Sequence, residues 1–284
     1  MTRVRRRTYW AAEARGHLPA AAIPLLHQLR LRQDLRTPRV LAQARSHMEF
    51  LVGEAMPEAD VDELARRYLD CLRWRIETRW HPEVFLPPVR VEGVEHLAAG
   101  FDGAVVNFLH HGPYERLGLS LSEVGHELHM MMAAFFFADD VPPWLRRHRV
   151  ITERGTPVFS ASEGSDGVRR RLAEGKLVGL ATDMPGRTPV TFLGREVLGT
   201  FGAARLAHEA GKPVLVATSH QGADGAPWLR IHEPLLPERF PDARALLEAM
   251  LRIHEPAVLA WPEAYEEPRS KWGEPVRDVA TPAA

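Results

Sequence analysis

Residues 104–121 read Ala-Val-Val-Asn-Phe-Leu-His-His-Gly-Pro-Tyr-Glu-Arg-Leu-Gly-Leu-Ser-Leu. The run from Ala104 to Leu109 is almost unbroken in its apolar character, as expected of a strand buried on both faces. It stops at His110-His111 and turns at Gly112-Pro113. It then passes into a stretch predicted as a helix, Pro113 to Val124, with proline in its first turn. In open α/β sheets ligands gather outside the carboxyl ends of strands, where helices begin. His110 therefore stands at such an end, with Glu115 five positions on.

Working outward, short apolar runs and helical patterns alternate from Val89 onward. Strands are expected at Val89–Val91, Glu127–Ala134, Val158–Ser160, Leu177–Thr182 and Pro213–Thr218, and Pro227–Ile231 reads as an antiparallel neighbour of the last. Helical patterns fall at Val94–Ala99 (a single turn), Val141–Val150, Gly167–Ala173, Phe201–Ala210 and Ala243–His254. Repeated βα units of this spacing predict an α/β fold with a mixed, mostly parallel central sheet flanked by helices. Residues 1–86 differ. Val40–Ala55 and Val61–Trp80 show helical spacing, broken at Met56-Pro57-Glu58, and Leu86-Pro87-Pro88 closes the region. Two regions result: an N-terminal helical lobe over 1–86 and an α/β core over 87–284. Phe135-Phe136-Phe137 reads first as core and second as an exposed lining for an acyl chain. Trp74 and Trp80 read as packing residues.

The composition is that of a globular chain long enough for a full core, 284 residues with 45% hydrophobic and 26% charged. Cys71 is the only cysteine, which excludes a disulfide framework and a cysteine-based metal site and points to a reducing compartment. No metal is expected. The net charge of −1 conceals an asymmetry: nine arginines against Glu13 and Asp34 give residues 1–39 a charge of +7 and the remainder about −8. Such an amino end suits an anionic membrane surface, though a solvated tail has the same composition. The longest apolar candidate for a span, Leu18–Leu31, is ~14 residues against the ~20 required and carries Pro24, His27 and Arg30. A cytoplasmic protein, peripheral at the inner membrane face if it meets a membrane, is the expectation.

His-x4-Glu is a weak pattern, and 14 His with 37 acids predict about two by chance. The second, His148/Glu153, lies among arginines and is explained as chance. His110 is set apart by its place at a strand end. Moving an acyl group from a thioester to an alcohol or amine requires a base for the acceptor's proton, and imidazole, with a pKa near ~6.5, suits that task near neutrality. A carboxylate beside it fixes the tautomer, and backbone N–H groups at the start of the following helix are candidates for holding the oxyanion. Gly118-Leu119-Ser120-Leu121-Ser122 lacks the last glycine of a nucleophile elbow, and His126-Glu127-Leu128-His129 is one residue short of a zincin motif. No phosphate-binding Gly-Lys-Ser/Thr loop, dinucleotide fingerprint or nucleic-acid module is legible.

His110-His111-Gly112-Pro113-Tyr114-Glu115 resembles the His-Phe-Gly-Asn-Trp-Glu/Asp block of the bacterial lipid A late-acyltransferase family, which includes the phosphatidylinositol mannoside acyltransferases. Arg170–Asp183, Val190–Arg195 and Thr200–Val216 resemble that family's later blocks in the same order, and Ile253–Trp272 loosely resembles its close. The likeness spans about Val89 to Trp272. It implies a glycerolipid-acyltransferase-like fold and cofactor-free transfer from acyl-CoA or acyl carrier protein to a lipid hydroxyl. His110 would be the base, with Glu115 and Asp183 supporting it; Asp183, at another strand end, is the acid expected to touch the imidazole. The resemblance further implies an arginine on donor phosphate or headgroup: Arg147 by spacing, with Arg146 or Arg149 as neighbours. Phe192, Gly194 and Arg195 would shape the floor near the thioester. The family's membrane-anchoring helix has no counterpart here, and Pro113-Tyr114 stands for Asn-Trp. A second expectation follows, a soluble enzyme of specialised metabolism forming an ester or amide on a small or carrier-bound acceptor. A third is an acyl-binding module without catalysis.

Overall fold

The computed structural model describes residue 10 and residues 12–97 and 100–273. Arg3, Arg5, Arg6 and Arg7 of the basic amino end, and Ala98-Ala99 of the expected helical turn, lie outside them.

Four helices come first: α1 (Ile23–Leu35), α2 (Pro38–Val52), α3 (Val61–Thr78) and the short α4 (Pro82–Phe85). Asp60 starts α3, its carboxylate accepting from the N–H groups of Asp62 and Glu63 at 3.1 and 3.0 Å, and those two acids complement the positive end of the helix. Next come β1 (Val91–Glu92), β2 (Ala104–Phe108), α5 (Leu117–Glu123), β3 (Leu128–Met132), α6 (Pro143–Thr152), β4 (Val158–Ser160), α7 (Gly164–Ala173) and β5 (Leu177–Ala181). The chain continues through β6 (Thr188–Phe192), β7 (Arg195–Gly199), α8 (Gly202–Ala210), β8 (Val214–Gln221), β9 (Pro227–Ile231), α9 (Ala243–Ala260) and α10 (Pro268–Lys271).

Seven strands form one sheet in the order β1-β9-β8-β2-β5-β3-β4. From β8 to β4 every pairing is parallel; β9 runs antiparallel to β8 and carries β1 parallel at the edge. This is the mixed, mostly parallel sheet expected. β2 lies at its centre and is buried at all five residues, which is why it reads as a continuous apolar run. Its side chains alternate between two apolar layers. Ala104, Val106 and Phe108 join Leu117, Leu121 and Leu128 on one face. Val105 and Leu109 join Leu206 of α8 and Leu246 and Met250 of α9 on the other. Met48 and Leu51 of α2 and Tyr68 and Leu69 of α3 belong to this second layer, so the apolar core continues across the start of the sheet region.

Four local readings change. The helix expected from Pro113 opens as a 3-10 turn, Tyr114–Arg116, before a seven-residue α5. α9 runs to Ala260 through Pro256, where the sequence reading stopped at His254; Ala257 and Val258 are buried, and their packing outweighs the one lost backbone bond. Residues 188–199 form an antiparallel hairpin whose two-residue loop, Leu193-Gly194, has φ of 53° and 79°. That loop takes left-handed residues, usually Asn-Gly or Asp-Gly, and a leucine in the first position hid the turn from the sequence. The Leu193 N–H is held by Glu255 Oε1 at 2.8 Å. Phe135-Phe136-Phe137, read first as core, is a 3-10 turn with no buried residue, and Phe135 is 54% exposed. The turn stands beyond the end of β3, where Phe136 stacks on His148.

Candidate active site

β2 and β5 are parallel neighbours, with Phe108 opposite Ala181. Two residues beyond each partner stand His110 and Asp183, so the register delivers both side chains to the same height above the sheet's carboxyl edge. His110 Nδ1 lies 2.9 Å from Asp183 Oδ1, and the His110 backbone N–H donates to Asp183 Oδ2 at 2.8 Å. Asp183 is fully buried, whereas the His110 side chain keeps 14% exposure. Burial by itself would raise the Asp183 carboxyl; the facing His110 charge and hydrogen bonds outweigh it and hold the group below the usual carboxylate range. An ionised carboxylate at Nδ1 takes that nitrogen's proton as a hydrogen bond and leaves Nε2 free to act as a base.

The strand ends are braced from beneath. Asn107 donates to the Leu180 carbonyl at 2.9 Å and to Thr182 Oγ1 at 2.7 Å, and His254 donates to Asn107 Oδ1 at 2.9 Å. Burial lowers His254 to about 3, so it is neutral there. His111 is bonded outside the dyad, its Nε2 2.9 Å from the Trp261 carbonyl, and burial lowers it to about 4.

Glu115 does not join His110 by any hydrogen bond or ion pair among the described residues. It sits in the 3-10 turn and reaches α3, where Arg75 and Arg79 stand one helical turn apart on the same face. Arg79 Nε donates to Glu115 Oε1 at 2.6 Å, and Arg75 Nε stands 3.6 Å from Oε2. Arg79 also binds Glu266 at 3.1 Å, and Tyr114 donates its hydroxyl to Glu266. His148, set aside in the sequence as part of a chance pair, lies 3.3 Å from Glu115. Burial opposes ionisation of Glu115, yet Arg79, His148 and Arg75 bring it down to about 2. The motif glutamate thus clamps α3 to the turn that carries His110.

This clamp forms part of the wall of a cavity of about 530 Å³, bounded by Arg15, Arg30, Arg79 and Arg147 together with Leu72, Ile76, Trp80 and Trp144. Glu266 stands in the same wall, and its partner Tyr114 packs edge-on against the His110 ring at 4.8 Å. Of the three arginines considered from the sequence, Arg147 faces the cavity, with its guanidinium over the Trp80 ring at 5.4 Å and no carboxylate in ion-pair range among the described residues. Arg146 pairs with Glu13 at 3.3 Å and Arg149 with Glu153 at 2.6 Å.

Phe192, Gly194 and Arg195 fall outside this wall. Phe192 is buried against the Trp272 ring at 4.9 Å, Gly194 makes the hairpin turn, and Arg195 pairs with Glu54 at 3.2 Å while lying over Phe50. Cys71 is no nucleophile, since burial raises its thiol to about 11. Among the described residues no group of three or more His, Cys, Asp or Glu is arranged to hold a metal, and no helix is long and apolar enough to cross a membrane.

Sequence reasoning missed Arg75, Arg79, Glu266, Tyr265 and His148. Arg75 and Arg79 carried a faint signal, two cations four apart on a predicted helix, and His148 a misleading one in its own His-x4-Glu spacing; Glu266 and Tyr265 had only their place in the loosely matching Ile253–Trp272 stretch.

No protein-family profile and no curated protein matches the chain. Among solved structures it is similar to the crystal structure of the 1-acyl-sn-glycerophosphate (LPA) acyltransferase PlsC from Thermotoga maritima. The identity is 14%, the match covers 92% of this chain and 99% of that one, and the TM-score is 0.42.

Proposed function

We propose that this protein transfers an acyl group from acyl-CoA or acyl carrier protein to a hydroxyl group of a glycolipid or lysophospholipid. The observation that carries the reading is the His110–Asp183 pair, which leaves Nε2 of a partly exposed imidazole free at the carboxyl end of the central strand. In the reaction, Nε2 takes the acceptor hydroxyl proton as its oxygen attacks the thioester carbonyl carbon. The carbon–sulfur bond breaks, and the departing thiolate takes the proton back from the imidazolium. Ester and free thiol are the products, and the enzyme is regenerated with no covalent intermediate and no cofactor.

The cavity walled by Glu266, whose partner Tyr114 packs on the His110 ring, suits an amphipathic molecule with an anionic group. Leu72, Ile76, Trp80 and Trp144 offer apolar surface, and Arg147 offers a cation no protein carboxylate neutralises among the described residues. That chemistry fits the phosphate of a CoA or phosphopantetheine donor as well as that of a lipid headgroup. The polar share of the same wall, Arg15, Arg30 and Glu267, favours a second acceptor class, a small or carrier-bound alcohol or amine.

Thioester consumption from a panel of acyl-CoA and acyl-carrier-protein donors, with and without lysophospholipid, glycolipid and amine acceptors, tests the proposal. Wild type is expected to consume a donor that His110→Ala does not. Equal turnover by both would remove His110 as the base, and turnover by neither would leave the binding-module reading.

A further inference from the structure

We infer that Tyr265 and Trp272 are positioning residues which set the tautomer of His110 through Asp183. The inference rests on His110 acting as the base. Its foundation is a buried chain of hydrogen bonds whose direction is fixed by chemistry. The Trp272 indole has a donor and no acceptor, and its Nε1–H meets the Tyr265 hydroxyl at 2.9 Å. The Tyr265 oxygen must accept there, so its single proton is free only for Asp183 Oδ2, at 2.8 Å. That oxygen also receives the His110 backbone N–H at 2.8 Å. With two donors on Oδ2 the carboxyl group is held ionised, and Oδ1 is left to accept from His110 Nδ1. An indole three hydrogen bonds from the imidazole thereby determines which ring nitrogen carries the lone pair.

The segment that brings these residues is built into the site. Glu266 N–H donates to the His110 carbonyl at 2.8 Å, and Gly112 N–H donates to that of Ala264 at 3.1 Å. Tyr265 and Trp272 are 0% and 1% exposed. The indole fits because residue 199 has no side chain; a Cβ there would come within 2.7 Å of the ring. Burial, with the Asp183 charge adding to it, raises the Tyr265 hydroxyl well above its ordinary range, so it remains a donor. The other groups facing Asp183 are Lys271 of α10, His254 of α9 and His111 of the turn; the two histidines are neutral through burial.

Nitrogen-15 NMR of histidine-labelled protein, titrated alongside kcat and KM in wild type, Tyr265→Phe and Trp272→Phe, tests this. The phenylalanines keep an aromatic ring and remove only the donors of interest, and the imidazole spectrum reads His110 without reference to turnover. Wild type is expected to hold neutral His110 with its proton on Nδ1. In Tyr265→Phe the buried carboxyl loses one of the two donors that hold it ionised and oriented, so a larger share of neutral His110 should carry its proton on Nε2. As that share rises, kcat should fall about ten- to hundredfold with donor KM within about twofold. Trp272→Phe should change the share and kcat in the same directions by less. If Tyr265→Phe does not fold, Trp272→Phe is read alone by the same criterion. An unchanged tautomer in a folded variant overturns the inference. Activity surviving in His110→Ala would instead overturn the base assignment, and the imidazole spectra would still decide what Tyr265 does.

Discussion

His110 Nδ1 lies 2.9 Å from Oδ1 of Asp183, a residue 73 positions further along the chain, while Glu115, only five positions on, is bonded to Arg79 instead. The two acids of the motif region therefore have different work, and replacing each should give a different phenotype. Asp183→Asn keeps the shape and presents an amide to Nδ1, which allows the wrong tautomer. A fall in kcat of roughly 10³- to 10⁴-fold, with thermal stability little changed, is expected in a steady-state assay beside a melting curve. A kcat near wild type would show that the base needs no carboxylate partner.

Glu115→Gln should act first on stability. It leaves the buried Arg79 and Arg75 cations with Glu266 as their remaining carboxylate, and breaking one side of a buried pair costs up to about 3–5 kcal/mol. Denaturant unfolding should show the loss, and Arg79→Met in the same chain should recover part of it. If the single variant unfolds like wild type, the clamp between α3 and the turn is energetically idle.

Arg147 should govern donor or headgroup binding. Its guanidinium stands at the cavity wall over Trp80 with no carboxylate beside it among the described residues. Arg147→Leu is expected to raise KM for a phosphate-bearing substrate about tenfold or more, with kcat within a few-fold, and to weaken the salt dependence of KM. A change confined to kcat would move Arg147 from binding to the chemistry.

Acid should destabilise the fold in two stages. His111 and His254 are lowered by burial to about 4 and about 3, so the fold holds them neutral while the unfolded chain binds protons from about pH 6.5 downward. Their contribution is complete above pH 6.5 and is lost as the pH falls towards 4 and 3. Glu115, lowered to about 2, contributes fully above its unfolded value near 4.5 and loses that contribution between 4.5 and 2. Melting temperature should thus decline from pH 6.5 and fall further below 4.5. His254→Gln should flatten the upper stage and Glu115→Gln the lower one. A plateau from pH 7 to 5 would contradict the neutral buried histidines.

The sequence by itself determined whatever depends on neighbours a few residues apart. The apolar run Ala104–Leu109, interrupted only by Asn107, announced a strand buried on both sides, Gly112-Pro113 announced the turn, and βα spacing announced the mixed sheet, because side-chain periodicity reports burial directly. It also placed His110 and Asp183 at two strand ends. Only the tertiary structure decided which acid meets the imidazole. That choice depends on β5 lying beside β2 with Ala181 opposite Phe108, a pairing that no local pattern encodes. The same holds for Glu115. Its spacing from His110 suggested a partner, but α3 brings two arginines from some forty residues upstream, and a buried carboxylate goes to the cations that neutralise it. Tyr265 and Trp272 lie in the stretch that loosely resembles the family's close, yet the resemblance assigned neither a role, since a single donor becomes meaningful only when folding leaves it one acceptor in reach.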